Sequence, residues 1–119
     1  MTDLKKGNLI VDKTFNFSVE IIKLFKALQN EREFIVSKQL LRSATSIGAN
    51  VEEAMAAQSR KDFINKLSIA SKEARETKYW LRLLDKSELS DQNVDYYLEE
   101  INHIINIITK IIITTKSTS

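Results

Sequence analysis

The chain has 119 residues, 43% of them hydrophobic, and its 18 Lys and Arg against 16 Asp and Glu leave a net charge of +2. That length carries one domain around a single core, and so balanced a charge excludes a globally polycationic binder, so that any nucleic-acid role needs a local basic patch. Pro and Cys are absent and Gly occurs twice, which excludes a disulfide framework, a thiolate metal site and a turn-rich all-β fold, and favours long helices.

Met1 to Asn8 is polar and reads as a loose arm. A first helix is expected over about 10–29. Val11, Phe15, Ile22 and Phe25 fall on one line, and Phe17, Ile21, Leu24 and Leu28 on the adjacent one. Together these lines are broader than one partner helix requires. After a charged connection, Asn30 to Glu33, a second helix is expected over about 34–57. Its seam of Leu40, Ala44, Ile47, Val51 and Ala54 alternates steps of four and three, the heptad spacing of bundle packing. Gly48 lies inside this helix, where it costs about 1 kcal/mol relative to Ala. Either it is simply tolerated, or its missing side chain lets another backbone approach; the neighbouring Ala44, Ala49 and Ala54 support the second reading.

Ser59 followed by Asp62 has the spacing of a capping box opening a third helix, about 60–87. The turn before it is so short that helices two and three must be antiparallel neighbours. The third helix has a clean seam: Phe63, Leu67, Ala70, Ala74, Thr77, Leu81 and Leu84. Ser90 is the expected N-cap of a fourth helix, about 91–114, with Leu89 and Val94 placed as a hydrophobic staple. This helix is built on Val94, Leu98, Ile101, Ile105, Ile108 and Ile112, and the KSTS tail is expected to fray. Four amphipathic helices with short connections in one domain spanning 1–119 predict an all-α, antiparallel, up-down-up-down four-helix bundle.

Three sets of residues go beyond this frame. Apolar surface in excess of one bundle seam, on Phe17, Ile21, Leu24, Tyr97, Ile104, Ile107 and Ile111, is either a wide core or a self-association interface, and the second reading is preferred. Beside the second seam runs a polar line, Ser43, Ser46, Asn50 and Glu53. Its members Ser46, Asn50 and Glu53, with Arg42, Glu73 and Glu76, are expected to form a structural polar network, because polar groups so near a core need partners. On the outer face of the third helix Lys72, Arg75, Tyr79, Arg82 and Lys86 are spaced three, four, three and four residues apart, with Lys78 beside them. A basic line with an aromatic in it suits phosphate contacts and base stacking, and RNA or DNA is the ligand expected there; a solvated face with a protein partner elsewhere is the alternative.

Catalytic signals are absent. Glu100 and His103 form one E-x-x-H pair, but a di-iron bundle needs two, and the chain has one His, which the seam places outward. No G-x-S-x-G turn and no Gly-rich phosphate loop occurs. The expectation is no enzyme, no cofactor and no metal. No apolar run spans a bilayer and no signal-peptide pattern opens the chain, so no membrane association and a cytoplasmic location are expected.

The stretch QLLRSATSIGANVEEAMAAQSRKDFINKLSIASKEARETKYWLRLL, Gln39 to Leu84, resembles the signature of the 23S rRNA intervening-sequence proteins. The likeness rests on Arg42, Ser46, Asn50 and Glu53, on Ser59, Asp62 and Phe63, and on Lys72 to Leu84, with weaker similarity over the first and fourth helices. Leu9 stands where relatives often carry Pro, and Ala56 near a frequent Gly; neither departure touches a seam. The resemblance implies a four-helix bundle that assembles as a homopentamer. It also implies a fold similar to the accessory variability protein of diversity-generating retroelements, a basic pentameric barrel that binds nucleic acid and a reverse transcriptase. The resemblance supplies no established activity.

Overall fold

The computed structural model describes the backbone of residues 2–118 and the side chains of residues 9–118. The described residues form four helices and no strand: α1 (Thr2–Asn30), α2 (Val36–Met55), α3 (Arg60–Ser87) and α4 (Asp95–Ser117). Each helix packs on the next and α4 also packs on α1, so that α1 and α3 stand on a diagonal of the bundle. The bundle measures 48 × 20 × 19 Å, the length of about 32 helical residues at a rise of ~1.5 Å.

The stretch read as a loose arm is helical from Thr2, with Met1 outside the described residues. Once a helix is nucleated, each added residue gains one hydrogen bond, and no Pro interrupts this run. At its other end α1 closes with paired bonds, Arg32 N–H to Gln29 O (2.9 Å) and Glu33 N–H to Leu28 O (2.9 Å), around Arg32 at φ 65°. This is a Schellman closure with Arg where Gly is usual. Glu33 then caps α2, its carboxylate accepting from Val36 N (2.8 Å) and Ser37 N (2.9 Å). The second helix therefore starts two residues later than its apolar pattern suggested, and Phe34 and Ile35 stay exposed outside it.

Ser59 caps α3, its Oγ accepting from Asp62 N at 3.0 Å; the return bond of the expected capping box is displaced by one residue, the Asp62 carboxylate accepting from Gln58 N at 3.4 Å rather than from Ser59 N. Ser90 does not cap α4. Its hydroxyl accepts from Gln92 N (2.9 Å) in a local turn, and Asn93 Oδ1 takes Asp95 N (2.9 Å) at the true start. Short polar side chains offer the backbone such turns in competition with a cap. Glu31, at the end of α1, holds this loop by accepting from Asp91 N (2.9 Å) and Gln92 Nε2 (2.7 Å). Those bonds, Asp91 N–H first, keep its carboxyl below the usual carboxylate range. At the far end α4 continues through Ser117, so Lys116 and Ser117 of the expected frayed tail are helical.

All five residues of the α2 seam are buried, as are Leu67, Ala70, Ala74, Thr77, Leu81 and Leu84 on α3. The expected self-association residues lie elsewhere than anticipated. Phe17, Ile21, Leu24, Ile104 and Ile111 are buried in the bundle's own core, and Tyr97 and Ile107 pack half-buried against it. The wide stripes are thus largely a wide core. The Tyr97 hydroxyl reaches Glu20 O on α1 at 3.5 Å, and burial pushes that phenol up. Several large apolar side chains remain exposed along the outside of α1, Leu9, Phe15 (62% exposed), Val19 and Ile22, besides Phe34 and Ile35 in the connection and isolated ones such as Ile113 on α4.

Gly48 faces α1. A Cβ built there would stand 3.5 Å from Thr14 O and from Ser18 Oγ, so the backbone of α1 does approach, yet at an ordinary van der Waals distance. Gly48→Ala should therefore keep the packing and recover the helix propensity, raising stability by up to about 1 kcal/mol. Urea denaturation checks this, and a destabilised Ala variant would show that the helices need the glycine.

Candidate nucleic-acid interface

The outer face of α3 follows from its seam. With Leu67, Ala70, Ala74, Thr77 and Leu81 turned inward, Lys72, Arg75, Tyr79, Arg82 and Lys86 are exposed, and Lys78 is half-buried beside them. Lys72, Arg75, Lys78 and Arg82 have no ion-pair partner among the described residues; Lys86 stands 3.9 Å from Asp85. Tyr79 is 53% exposed, and its ring meets that of Trp80 edge-on, with centroids 5.1 Å apart. Tyr79, Arg82, Leu83 and Lys86 line a shallow groove of about 200 Å³.

What leaves these cations unpaired is Arg42 on α2. Its guanidinium bridges both acids that interrupt the basic face, Glu73 (Nη1 to Oε2, 3.2 Å) and Glu76 (Nη2 to Oε2). Trp80 Nε1 donates to the same Glu76 oxygen at 3.0 Å. The Trp80 bond, then the Arg42 bond, hold the Glu76 carboxyl below the usual carboxylate range, with Arg42 and Lys72 adding their charges. The reciprocal bond raises Arg42. The carboxylates are thus drawn toward α2, away from the outer line of α3.

The expected polar network resolves into separate pieces. Arg42, Glu73, Glu76 and Trp80 form one cluster. Ser43 and Thr77 form another, buried in the α2–α3 seam with hydroxyl oxygens 2.9 Å apart. Ser46 and Asn50 bond only their own helix, to Arg42 O (2.7 Å) and Ser46 O (2.8 Å), and Glu53 pairs with Lys66 at 3.4 Å. They do not join Glu73 and Glu76, because a side chain whose polar atom reaches the carbonyl one turn back is already satisfied. The sequence reading missed Trp80, since a Trp beside a seam reads as core; its spacing of four from Glu76 was the available signal.

His103 lies on the outside of α4, its Nδ1 3.5 Å from Glu100 Oε2, and Glu100 in turn pairs with Lys13 of α1 at 3.0 Å. That E-x-x-H pair ties α4 to α1. No group of three or more metal-ligating side chains occurs among the described residues, and no helix there is long and apolar enough to cross a membrane.

The model of the family described as 23S rRNA-intervening sequence protein matches residues 6–110 of the chain, which therefore belongs to that family. A crystal structure of a protein of unknown function from the S23 ribosomal protein family of Bacteroides thetaiotaomicron VPI-5482 superposes with a TM-score of 0.86. It is 46% identical, and the match covers 94% of this chain and 98% of the other. No curated protein matches.

The Arg42–Glu76 cluster gives stability a pH dependence of definite sign. A folded-state carboxyl held below its unfolded value stabilises above the unfolded value and loses that contribution as pH falls through the folded one. At neutral pH the native chain should exceed Glu76→Gln by less than about 1 kcal/mol, since the pair is largely exposed. The gap in urea midpoint should close as pH drops below about 4, the ordinary Glu range. A gap unchanged down to pH 2 would contradict the assignment.

Proposed function

We propose that the protein is a non-enzymatic, homo-oligomeric module that binds RNA or DNA through the outer face of α3. The observation that carries this reading is the line Lys72, Arg75, Arg82 and Lys86, with Lys78 beside it: Arg42 holds Glu73 and Glu76, and among the described residues only Lys86, 3.9 Å from Asp85, has a carboxylate within ion-pair distance. Cations not already neutralised release counterions when phosphates replace solvent, which is the main source of sequence-independent affinity. Membership of a family described by its rRNA intervening sequences supports the choice of nucleic acid.

The bundle is read as up-down-up-down. Ser43 opposite Thr77 and Glu53 opposite Lys66 support antiparallel α2 and α3; Lys13 opposite Glu100 and Glu20 opposite Tyr97 support antiparallel α1 and α4. Self-association, with a homopentamer as the form the family resemblance implies, is supported by the exposed α1 stripe of Leu9, Phe15, Val19 and Ile22, which a monomer would leave in water. A cytoplasmic site of action follows from the same reading. Phe34 and Ile35, exposed side by side in the α1–α2 connection, favour a second function, a scaffold whose ligand is a protein.

Fluorescence anisotropy with short labelled RNA and DNA, on protein whose mass is set by light scattering, tests the proposal. Several chains per particle are expected. Affinity should fall with salt as phosphate contacts are lost, and Arg75→Glu with Arg82→Glu should abolish binding while leaving the fold and the mass unchanged. Binding insensitive to salt or to the double reversal, or a monomer at micromolar concentration, would overturn it.

A further inference from the structure

We infer that the α3 face is built for single-stranded nucleic acid, with a base stacked on Tyr79 and the flanking phosphates on Arg75, Arg82 and Lys86. This rests on the nucleic-acid reading above and narrows it. Two observations exclude the duplex alternatives. First, α3 is flanked by α2 and α4 in a bundle 20 × 19 Å across, so only its outer surface shows. A major groove about 12 Å wide admits a protruding helix, not one held flush between two others. The deep, narrow major groove of A-form RNA is closed to side chains altogether. Against either duplex the face meets phosphates and, in A-form RNA, the 2′-hydroxyls and base edges of the shallow minor groove, but no unstacked base face on which an aromatic ring could lie. Second, the ring present is exposed and held. Trp80 braces Tyr79 edge-on, Glu76 fixes the Trp80 indole, and Arg42 fixes Glu76. A ring oriented before binding loses little entropy when a base lands on it.

The dimensions fit. From Lys72 to Lys86 the line runs about 21 Å at ~1.5 Å per residue, the length of roughly six stacked nucleotides at ~3.4 Å each. Tyr79 sits at its middle, with Arg75 one turn before it and Arg82 one turn after. The groove lined by Tyr79, Arg82, Leu83 and Lys86 adds an apolar wall beside the ring. Stacking and phosphate contacts of this kind read no sequence, because every base offers a π face. Arg42 acts here as a positioning residue: it touches no ligand, but it sets the ring through Glu76 and Trp80 and removes the competing carboxylates.

The test uses the full chain, a labelled single strand, and a labelled hairpin whose stem carries the same sequence in duplex form, RNA and DNA alike, at one salt concentration. The single strand should bind roughly tenfold or more tightly than the duplex, and Tyr79→Ala should remove that advantage, the fold-change expected for losing one stacked base. Tyr79→Phe should retain it, because stacking does not need the hydroxyl. Equal or tighter duplex binding, or single-strand affinity unmoved by Tyr79→Ala in a folded variant, would overturn the inference and leave the nucleic-acid reading standing. Absence of binding to both forms would remove both.

Discussion

The seam between α2 and α3 is the contact on which the remaining features depend. Ala44, Ile47, Val51 and Ala54 meet Leu67, Ala70, Ala74, Thr77 and Leu81 with no side chain more than 1% exposed, and the several alanines let the two helices lie close. Close packing sets the register, and the Ser43 and Thr77 hydroxyls meet across it at 2.9 Å in the dry interior, each also within reach of a carbonyl of its own helix, Leu40 O (3.3 Å) and Glu73 O (2.8 Å). Given that register, Arg42 falls opposite Glu73 and Glu76, and Glu53 opposite Lys66. The chemistry of the outer face of α3 is therefore decided from the inner face. A shift of one turn in the seam would free two carboxylates among the cations.

An apolar stripe and a basic line both stay exposed once the bundle is closed, and they lie on different helices. The apolar stripe belongs to α1 and the basic line to α3, and these two helices are diagonal in the bundle. An assembly formed through α1 would leave α3 outward in every copy. Repetition of a basic line around a ring would add the fields of the copies, which is how a chain with a net charge of only +2 could attract a polyanion.

The helices were legible because their seams are periodic, and the α2 and α3 positions expected inside are found there apart from Phe63, which is half-buried at the start of α3. The ends were less so. Two chain reversals use Arg32 and Glu88 in left-handed conformation, φ 65° and 60°, where a glycine would have announced the turn. Glu33 caps a helix from outside the usual set of cap residues, while Ser90, which belongs to that set, spends its hydroxyl on a local turn. The surplus apolar positions were recognised as surplus, but periodicity cannot say how deep a four-helix core reaches. Phe17 and Ile104 went inside, and Phe15 and Ile22 were left out. At the candidate site the cations and Arg42 were readable from spacing. That Ser46 and Asn50 would turn back on their own helix was not, because a polar side chain near a seam has both a neighbour and its own backbone to choose from.

Photocrosslinking locates the ligand most directly. A single-stranded oligonucleotide carrying 5-iodouridine, irradiated with the protein and digested for mass spectrometry, should attach to Tyr79 or to residues within the Lys72 to Lys86 segment of α3. Attachment confined to the α1 stripe, or to the Phe34 and Ile35 connection, would contradict the assignment of α3 as the binding face.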